Sequence, residues 1–259
     1  MTNNLKVTTI QTNLIWEDVK RNLLNFELKI RNIGEITDII VLPEMFSTGF
    51  SMKPAEFAES MDGESAGWMK KMATLTDALI VGSLIIKENG KFVNRLLAVK
   101  PDGAMEYYDK RHLFAIGGEH KEYDAGNKLL IFSYKGWKIN PLICYDLRFP
   151  VWSRNQNDFD IQIYVANWPE KRSFHWNILL QARAIENQSF VVGVNRIGAD
   201  GNGYLHSGDT CIFDPMGIRI SKTNPNEDST ETVTLDKSLL EQVRKSLPFL
   251  QDGDNFTIA

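Results

Sequence analysis

Short apolar segments of strand length alternate with amphipathic helical segments along the whole chain. About eleven segments have the length and β-branched content of strands, and roughly four or five have helical periodicity. Sheets and helices that are apolar on one face must bury those faces against one another. The pattern therefore favours a single α/β domain with two sheets inside and helices outside.

The predicted elements of the C-terminal half are the most specific. The clearest helix is predicted over Ser173–Gln188, with Ser173 as its N-cap. A shorter helix is predicted over Phe149–Asn155, and strands over Ser207–Phe213 and Ile218–Ser221 around a turn. The periodicity of the long helix predicts one apolar face, which we expect to pack on the core: Phe174, Ile178, Ala182 and Ile185.

Composition and charge limit the classes of partner. The 259 residues include 29 Lys and Arg and 33 Asp and Glu, well mixed along the chain, for a net charge of −4 at pH 7. There is no basic stripe of the kind that binds nucleic acid. No apolar run reaches the roughly 18 residues of a membrane span. We therefore expect neither a nucleic-acid nor a membrane partner.

The cysteine content indicates the redox compartment. Cys144 and Cys211 are too few for a disulfide framework. The start, Met1–Asn4, leads almost at once into a strand pattern, so we expect no leader segment. The expected location is a reducing cytoplasm, where a free thiol persists and can be used. Cys211 lies within a predicted strand and is interpreted as inert core.

Three apolar segments each lead into an ionisable residue. Ile39–Pro43 leads into Glu44, Met105–Asp109 into Lys110, and the run ending at Ile143 into Cys144. Sites in α/β sheets gather where strands end, so these three ends could share one crevice. A carboxylate, an ammonium and a thiol are the groups that acyl transfer through a thioester requires.

Each of the three residues also has a structural interpretation. Free cysteine is among the most buried residue types, so Cys144 alone is interpreted more readily as core. Glu44 alone could be a turn or cap residue, and Lys110 a solvated loop residue. Their combination carries more information, because the surrounding segments match known motifs: Leu42–Phe46, Tyr108–Phe114 and Ile143–Pro150.

These segments resemble the three signature motifs of the nitrilase (carbon–nitrogen hydrolase) superfamily. The resemblance runs nearly end to end and implies one carbon–nitrogen hydrolase domain over residues 1–259. It implies a four-layer α-β-β-α sandwich that pairs into a homodimer and needs no cofactor and no metal. Residues 247–259 are expected to form a C-terminal tail that packs on the body or on the partner chain.

The resemblance also implies roles for the site residues. Glu44 is expected to be the general base and later the general acid, Lys110 to bind the oxyanion, and Cys144 to be the nucleophile. The backbone N–H of Tyr145 is expected to be the second oxyanion donor. A second glutamate that positions the lysine is expected in the following loop; Glu119 matches best by its spacing to Gly126, and Glu122 is the alternative.

Within the superfamily, segments 144–155 and 164–169 are most similar to the bacterial omega-amidases. These enzymes release ammonia from the terminal amide of 2-oxoglutaramate and 2-oxosuccinamate. The carboxylate of such a small-molecule amide needs a cationic anchor, and Arg172 is the candidate. Arg148 is the alternative, unless it pairs with Asp146 as a structural residue. Four aromatic residues could wall the pocket or belong to the core: Phe46, Phe114, Tyr145 and Trp168.

Three other functions are weighed against this one. A carbamoyl amide or nitrile substrate would keep the fold and change the pocket. A metal-dependent phosphodiesterase would need clustered ligands, whereas the four histidines are scattered without a metal-binding spacing. A non-catalytic binding module is disfavoured because Glu44, Lys110 and Cys144 are all present.

Overall fold

The computed structural model describes residues 4–156 and 158–258. The predictions that concern Met1–Asn3 and the last residue of the tail, Ala259, therefore lie outside the described residues. The strands are β1 (Leu5–Gln11), β2 (Ile39–Val41), β3 (Leu79–Glu88), β4 (Lys91–Val99), β5 (Met105–Asp109), β6 (Phe132–Tyr134), β7 (Trp137–Ile143), β8 (Ile161–Ala166), β9 (Phe190–Asn195), β10 (Ile197–Ala199), β11 (Leu205–Ser207), β12 (Cys211–Phe213) and β13 (Ser229–Leu235). The α-helices are α1 (Val19–Arg31), α2 (Pro54–Phe57), α3 (Glu64–Thr76), α4 (Glu119–Glu122), α5 (Ser173–Asn187) and α6 (Lys237–Ser246). Short 3₁₀ helices cover Ala115–Gly117, Cys144–Arg148, Glu170–Arg172 and Phe249–Asp252.

Two mixed sheets form the centre of the molecule. The first has the strand order β13-β1-β2-β3-β4-β5, and β1, β2 and β3 are parallel. The second has the order β12-β9-β8-β7-β6, and β7, β8 and β9 are parallel. A separate ribbon pairs β10 with β11. The parallel strands are buried on both faces, as continuous apolar runs such as that of β2 predict.

Alternation along the strands builds two cores. In β2, Ile39 and Val41 face the second sheet, whereas Ile40 packs with Phe26 of α1 and Met72 of α3. Trp176 of α5 and Leu240 of α6 join the apolar residues of the second sheet. The layers are therefore helix, sheet, sheet and helix, which confirms the predicted four-layer α-β-β-α sandwich.

The predicted apolar face of α5 is wrong. Phe174, Ile178 and Ile185 are 74%, 48% and 49% exposed. The helix instead buries a second stripe, which includes Trp176 and Leu180. Both stripes have helical spacing, and it is Trp176, Leu180 and Ala184 that join the apolar residues of the second sheet. Ser173 is also not the N-cap: it is the first helical residue, after Arg172, and no side chain caps this end.

Three local predictions fail where backbone conformation changes abruptly. Phe149–Asn155 does not form a helix, because the 3₁₀ helix Cys144–Arg148 and a series of turns take its place. Ser207–Phe213 is broken into β11 and β12 by Gly208 and Asp209, which have φ of 79° and 56°. Ile218–Ser221 forms an isolated bridge to β12 rather than a strand.

The C-terminal tail lies on the body of the same chain in residues 247–258. Phe256 accepts a hydrogen bond of 3.2 Å from Gln156 Nε2 through its carbonyl oxygen. Phe256 and Ile258 line a shallow cavity together with Val151 and Trp152. Contact of the tail with a partner chain stays a prediction. Among the residues that the structure describes, no helix is both long and apolar enough to cross a membrane.

Candidate active site

The ends of three strands deliver three ionisable side chains to one cavity. Glu44 follows β2 by three residues, Lys110 follows β5 directly, and Cys144 follows β7 directly. All three line a cavity of about 170 Å³. This is below the roughly 300–1,000 Å³ of pockets for drug-sized ligands, so the cavity suits a small molecule.

Lys110 is clamped between two buried carboxylates. Its Nζ donates to Glu44 Oε1 at 2.8 Å and to both carboxylate oxygens of Glu119 at 2.9 Å. Burial disfavours the ammonium, but Glu119 and Glu44 overcome that effect and hold the pKa of Lys110 above its ordinary value. The cavity therefore contains a permanently charged cation with fixed orientation.

Glu44 is held through every polar atom that it presents. Oε1 accepts from Lys110 and from Asn94 Nδ2, each at 2.8 Å, and Oε2 accepts from the backbone N–H of Asn167 at 2.8 Å. The Asn167 side chain donates to the carbonyl of Glu44 at 2.5 Å. The next residue, Met45, has φ of 43°, a left-handed turn that directs the chain away from the cavity. Glu44 therefore has one orientation at the end of its strand.

Glu119 is buried against Lys110, whereas Glu122, at the end of α4, is exposed. Glu119 Oε2 also accepts from the N–H of Phe114 at 2.5 Å. Burial raises the pKa of Glu119, Lys110 opposes that rise, and the nearby charge of Glu44 adds to it. Of the two candidates for the second glutamate, only Glu119 can fix the position of the ammonium.

Cys144 lies at a strained point of the backbone. It ends the extended run of β7 and begins a 3₁₀ helix with φ of 43°, a conformation that costs roughly 1–3 kcal/mol for a residue other than glycine. Burial raises the pKa of its thiol well above the ordinary value; Glu44 raises it further and Lys110 opposes the rise. The resting group is a thiol, so it needs a base to become a nucleophile. Tyr145 follows in the first turn, where helical N–H groups have no intrahelical acceptor.

Asp146 joins the Cys144 turn to the Lys110 loop. Its Oδ2 accepts from Tyr108 Oη at 2.8 Å and from the N–H of Ile143 at 3.1 Å. Its Oδ1 accepts from the N–H of His112 at 3.0 Å and contacts His112 Nδ1 at 2.8 Å. The strand end before the cysteine and residues on both sides of the lysine thus share one buried carboxylate. The predicted pairing of Asp146 with Arg148 is wrong, because these donors occupy the carboxylate.

Aromatic side chains wall the cavity, but Phe46 is not among them. Phe114, Tyr145 and Trp168 line it, and so does Phe50, whose ring centroid is 5.1 Å from Lys110 Nζ. Phe46 is fully buried on the opposite face of the sheet. Its ring packs edge-on against Phe26 and tilted against Trp68. The prediction that Phe46 walls the pocket is therefore wrong, since the left-handed turn at Met45 sends it into the core.

Both candidate arginines reach the same cavity. The guanidinium of Arg172 lies 5.5 Å from the ring centroid of Phe114, and that of Arg148 lies 4.7 Å from that of Trp168. Within the described part of the chain, no carboxylate forms an ion pair with either of them. Burial and the neighbouring charge of Arg172 lower the pKa of Arg148. Two cations without acidic partners make this end of the cavity a site for an anion.

One further wall of the cavity has no signal in the sequence, and it lies against the 3₁₀ helix Glu170–Arg172. This wall comes from the β10–β11 ribbon and includes Asp200, Asn202, Tyr204 and His206. Burial and the charge of Arg196 lower the pKa of His206 to about 4, so its imidazole is neutral at physiological pH. Asn94 was also missed, because it lies mid-strand without any motif around it. In the described part of the chain, no three His, Cys, Asp or Glu side chains are grouped so as to hold a metal ion.

Comparisons with known proteins agree with this geometry. Residues 6–245 match the model of the family described as carbon–nitrogen hydrolase. The chain is 45% identical to the omega-amidase YafV of Escherichia coli K12 over 254 residues, which cover 98% of each chain. It is 32% identical to the 2-oxoglutaramate amidase of Bacillus subtilis, over 95% of this chain and 96% of that one.

The fold of this chain also matches that of a solved structure. A carbon–nitrogen hydrolase superfamily protein of Xanthomonas campestris, with an arsenic adduct in its active site, is 39% identical to this chain. The two align with a TM-score of 0.96 over 99% of each chain.

Proposed function

Because this chain belongs to the carbon–nitrogen hydrolase family, we propose that it is an omega-amidase. It hydrolyses the terminal amide of a small 2-oxo dicarboxylic acid monoamide, such as 2-oxoglutaramate or 2-oxosuccinamate, to the acid and ammonia. The observation that carries the proposal is the cavity itself. At one end it holds Glu44, Lys110 and Cys144, and at the other it holds the guanidiniums of Arg148 and Arg172, which form no ion pair with a carboxylate in the described part of the chain.

The first half of the reaction forms a thioester. Glu44 takes the proton of the Cys144 thiol, and the sulfur attacks the amide carbon. The carbonyl π electrons move to oxygen, and the oxyanion is stabilised by Lys110 and by the backbone N–H of Tyr145. The carbon–nitrogen bond then breaks as Glu44 returns its proton to the nitrogen, and ammonia leaves.

The second half repeats these steps with water. Glu44 takes a proton from a water molecule, whose oxygen attacks the thioester carbon. Lys110 and Tyr145 N–H again stabilise the oxyanion, and its collapse breaks the carbon–sulfur bond. The thiolate recovers the proton from Glu44, so the enzyme returns to its starting state. Glu119 acts through Lys110, whose ammonium it holds in place.

The far carboxylate of the substrate binds at the arginine end. Arg172 is the anchor, because a guanidinium can donate two parallel hydrogen bonds to one carboxylate. Arg148 adds a second positive charge to the same end, and its Nη2 lies 3.2 Å from His175 Nδ1. The rings of Phe114 and Trp168 lie 5.5 Å and 4.7 Å from the guanidiniums of Arg172 and Arg148, which limits the positions that these two side chains can take.

The proposal predicts a clear order in a substrate panel. Ammonia release from 2-oxoglutaramate should exceed release from glutamine, from a nitrile and from a carbamoyl amino acid by about 100-fold in kcat/KM. Glutamine carries an ammonium that the two guanidiniums repel, and like-charge juxtaposition costs several kcal/mol. Faster turnover of the nitrile or of the carbamoyl compound would contradict the omega-amidase assignment and favour another carbon–nitrogen hydrolase.

The same panel tests the anchor. In Arg172→Met, KM for 2-oxoglutaramate should rise about 10- to 100-fold, because a charged hydrogen bond contributes about 1.5–3 kcal/mol. An uncharged amide of similar length should be affected little. Lys171→Met is the matched control, since Lys171 is the exposed neighbour outside the cavity. An unchanged KM in Arg172→Met would leave Arg148 as the anchor.

We also propose that the enzyme is a cytoplasmic homodimer. The exposed apolar stripe of α5, which consists of Phe174, Ile178 and Ile185, supports the proposed dimer. Met216 and Ile218, 47% and 61% exposed, extend it, because Gly217 between them accepts a hydrogen bond from Gln181 of α5 at 2.8 Å. A contiguous apolar patch of this kind marks an interaction surface.

A charge within this stripe should dissociate the dimer. Ile178→Glu should weaken the association by about 30-fold or more, which is the effect of a typical interface hot spot. Sedimentation velocity over a concentration series measures it. Leu28→Glu is the control, because Leu28 is 54% exposed on α1, on the other side of the sandwich. Equal dissociation of both variants, or of neither, would contradict this interface.

A further inference from the structure

Asn94 lies at the centre of the catalytic cluster, although no motif points to it. It is a fully buried residue of β4, and its carbonyl accepts the N–H of Lys110 at 3.0 Å. Its Nδ2 donates to Glu44 Oε1 at 2.8 Å and to Glu119 Oε1 at 3.3 Å. A single neutral amide thus bridges the two carboxylates that flank the lysine.

The orientation of the Asn94 amide is fixed by charge. Turning the amide over would place its oxygen against two carboxylate oxygens, where it would be repelled. In the observed orientation Oδ1 is buried and has no hydrogen-bond partner among the described residues. A buried acceptor without a partner is unfavourable. The two hydrogen bonds that Nδ2 donates to the carboxylates therefore outweigh the missing hydrogen bond at Oδ1.

The two carboxylate oxygens of Glu44 differ in how many of their lone-pair sites are occupied by hydrogen bonds. A carboxylate oxygen has two lone-pair sites. On Oε1, both sites are taken, by Lys110 and by Asn94, each at 2.8 Å. On Oε2, the N–H of Asn167 takes only one site at 2.8 Å, which leaves the other site of Oε2 for the side-chain hydrogen bond between Glu44 and the Cys144 thiol.

We propose that Asn94 is a positioning residue that closes Oε1 of Glu44 and so reserves Oε2 for the proton. This inference rests on the proposed function of Glu44 as the base. In the first step the S–H bond of Cys144 breaks, an O–H bond forms at Oε2, and the negative charge passes from the carboxylate to sulfur. When ammonia departs, that O–H bond breaks and an N–H bond forms at the leaving nitrogen. Asn94 stays neutral throughout and donates to both carboxylates.

Two substitutions of similar shape test the proposal. Asn94→Asp replaces the donor by a carboxyl group that repels Glu44 and Glu119 when it is ionised. Asn94→Leu removes the donor without adding charge. Both changes disfavour ionised carboxylates, so the acidic limb of the kcat profile should move to higher pH, by about 1 unit or more in Asn94→Asp. KM should change less than threefold, because Asn94 does not line the cavity.

Alkylation provides a readout that does not depend on the substrate. The rate at which iodoacetamide alkylates Cys144 should show the same shift of its acidic limb, measured by peptide mass spectrometry. Cys211, fully buried in β12, serves as the internal reference. If no amide is hydrolysed by the wild type, the proposed function fails, yet the alkylation profiles still test the role of Asn94.

A control separates positioning from general stability. Asn140 is a buried asparagine of β7 that donates to the carbonyl of Leu130 at 2.9 Å and lies outside the cavity. Asn140→Leu should lower the melting temperature without moving the acidic limb of the kcat profile or that of the alkylation profile. The proposal is overturned if the acidic limbs of Asn94→Asp and Asn94→Leu lie at the same pH as those of the wild type. It is also overturned if Asn140→Leu shifts these limbs equally. If one Asn94 variant does not fold, the other decides alone.

Discussion

Replacing Cys144 by alanine should abolish amide hydrolysis, with kcat reduced by at least about 10⁴-fold, as for other enzymes that lose their nucleophile. The change removes the only group in the proposed reaction that can form the covalent intermediate. The free energy of unfolding should change by only about 1 kcal/mol, because a single small side chain is shortened. Ammonia release and thermal melting measure the two effects separately.

A matched variant and a trapped intermediate sharpen this test. Cys211→Ala removes the other thiol, from a core position remote from the cavity, and should keep full activity. Acid quenching of the wild type during turnover should yield a Cys144 adduct whose added mass is that of the substrate minus ammonia. Near-wild-type hydrolysis by Cys144→Ala would end the thioester mechanism.

The sequence predicts the elements of this site that depend on local patterns. Glu44, Lys110 and Cys144 each follow an apolar segment. A strand that is buried on both faces needs a continuous apolar run, and such a run can be identified in the sequence. The three strands are not neighbours, however: β2 and β5 are separated by two strands of the first sheet, and β7 belongs to the second sheet. The strand ends could therefore be predicted from local patterns, whereas their meeting in one cavity depends on how the two sheets pack on each other.

Other features depend on contacts between distant segments, which sequence patterns do not encode. Asn94 acquires its role only because β4 pairs with β5, the strand that leads into Lys110, and because its amide reaches Glu44 and Glu119. The wall that contains His206 is a ribbon more than 50 residues beyond Cys144 in the sequence. The face of α5 was mispredicted because two apolar stripes have the same periodicity, and only packing decides which is buried. Phe46 was misplaced because the turn after Glu44, in which Met45 has a φ of 43°, places Phe46 among the helix-side core residues of the first sheet.

The most severe stability effect should come from Lys110→Met, because it leaves Glu44 and Glu119 buried without a counter-ion. Breaking a buried ion pair by removing one partner costs about 3–5 kcal/mol. Loss of the oxyanion cation should lower kcat by at least about 10²–10³-fold, which is the effect of removing one oxyanion donor. Chemical denaturation and ammonia release measure the two losses.

The pH dependence of this loss follows from the sign of the shift at Glu119. Burial already raises the pKa of Glu119, and Lys110 opposes that rise. Removing the ammonium should raise the pKa of Glu119 further in the folded state. A carboxyl group whose pKa is raised by folding stabilises the fold below its unfolded pKa of 4.5 and loses that contribution as the pH rises through the folded value.

The stability gap between Lys110→Met and the wild type should therefore be largest near neutral pH and should narrow as the pH falls toward about 5. Lys121→Met, an exposed lysine beside Glu119 in sequence, is the control and should match the wild type at every pH. A gap that is constant with pH would mean that the loss comes from packing. In that case the ammonium would not be the group that keeps Glu119 ionised in the cavity, and the charge balance proposed for the catalytic cluster would be wrong.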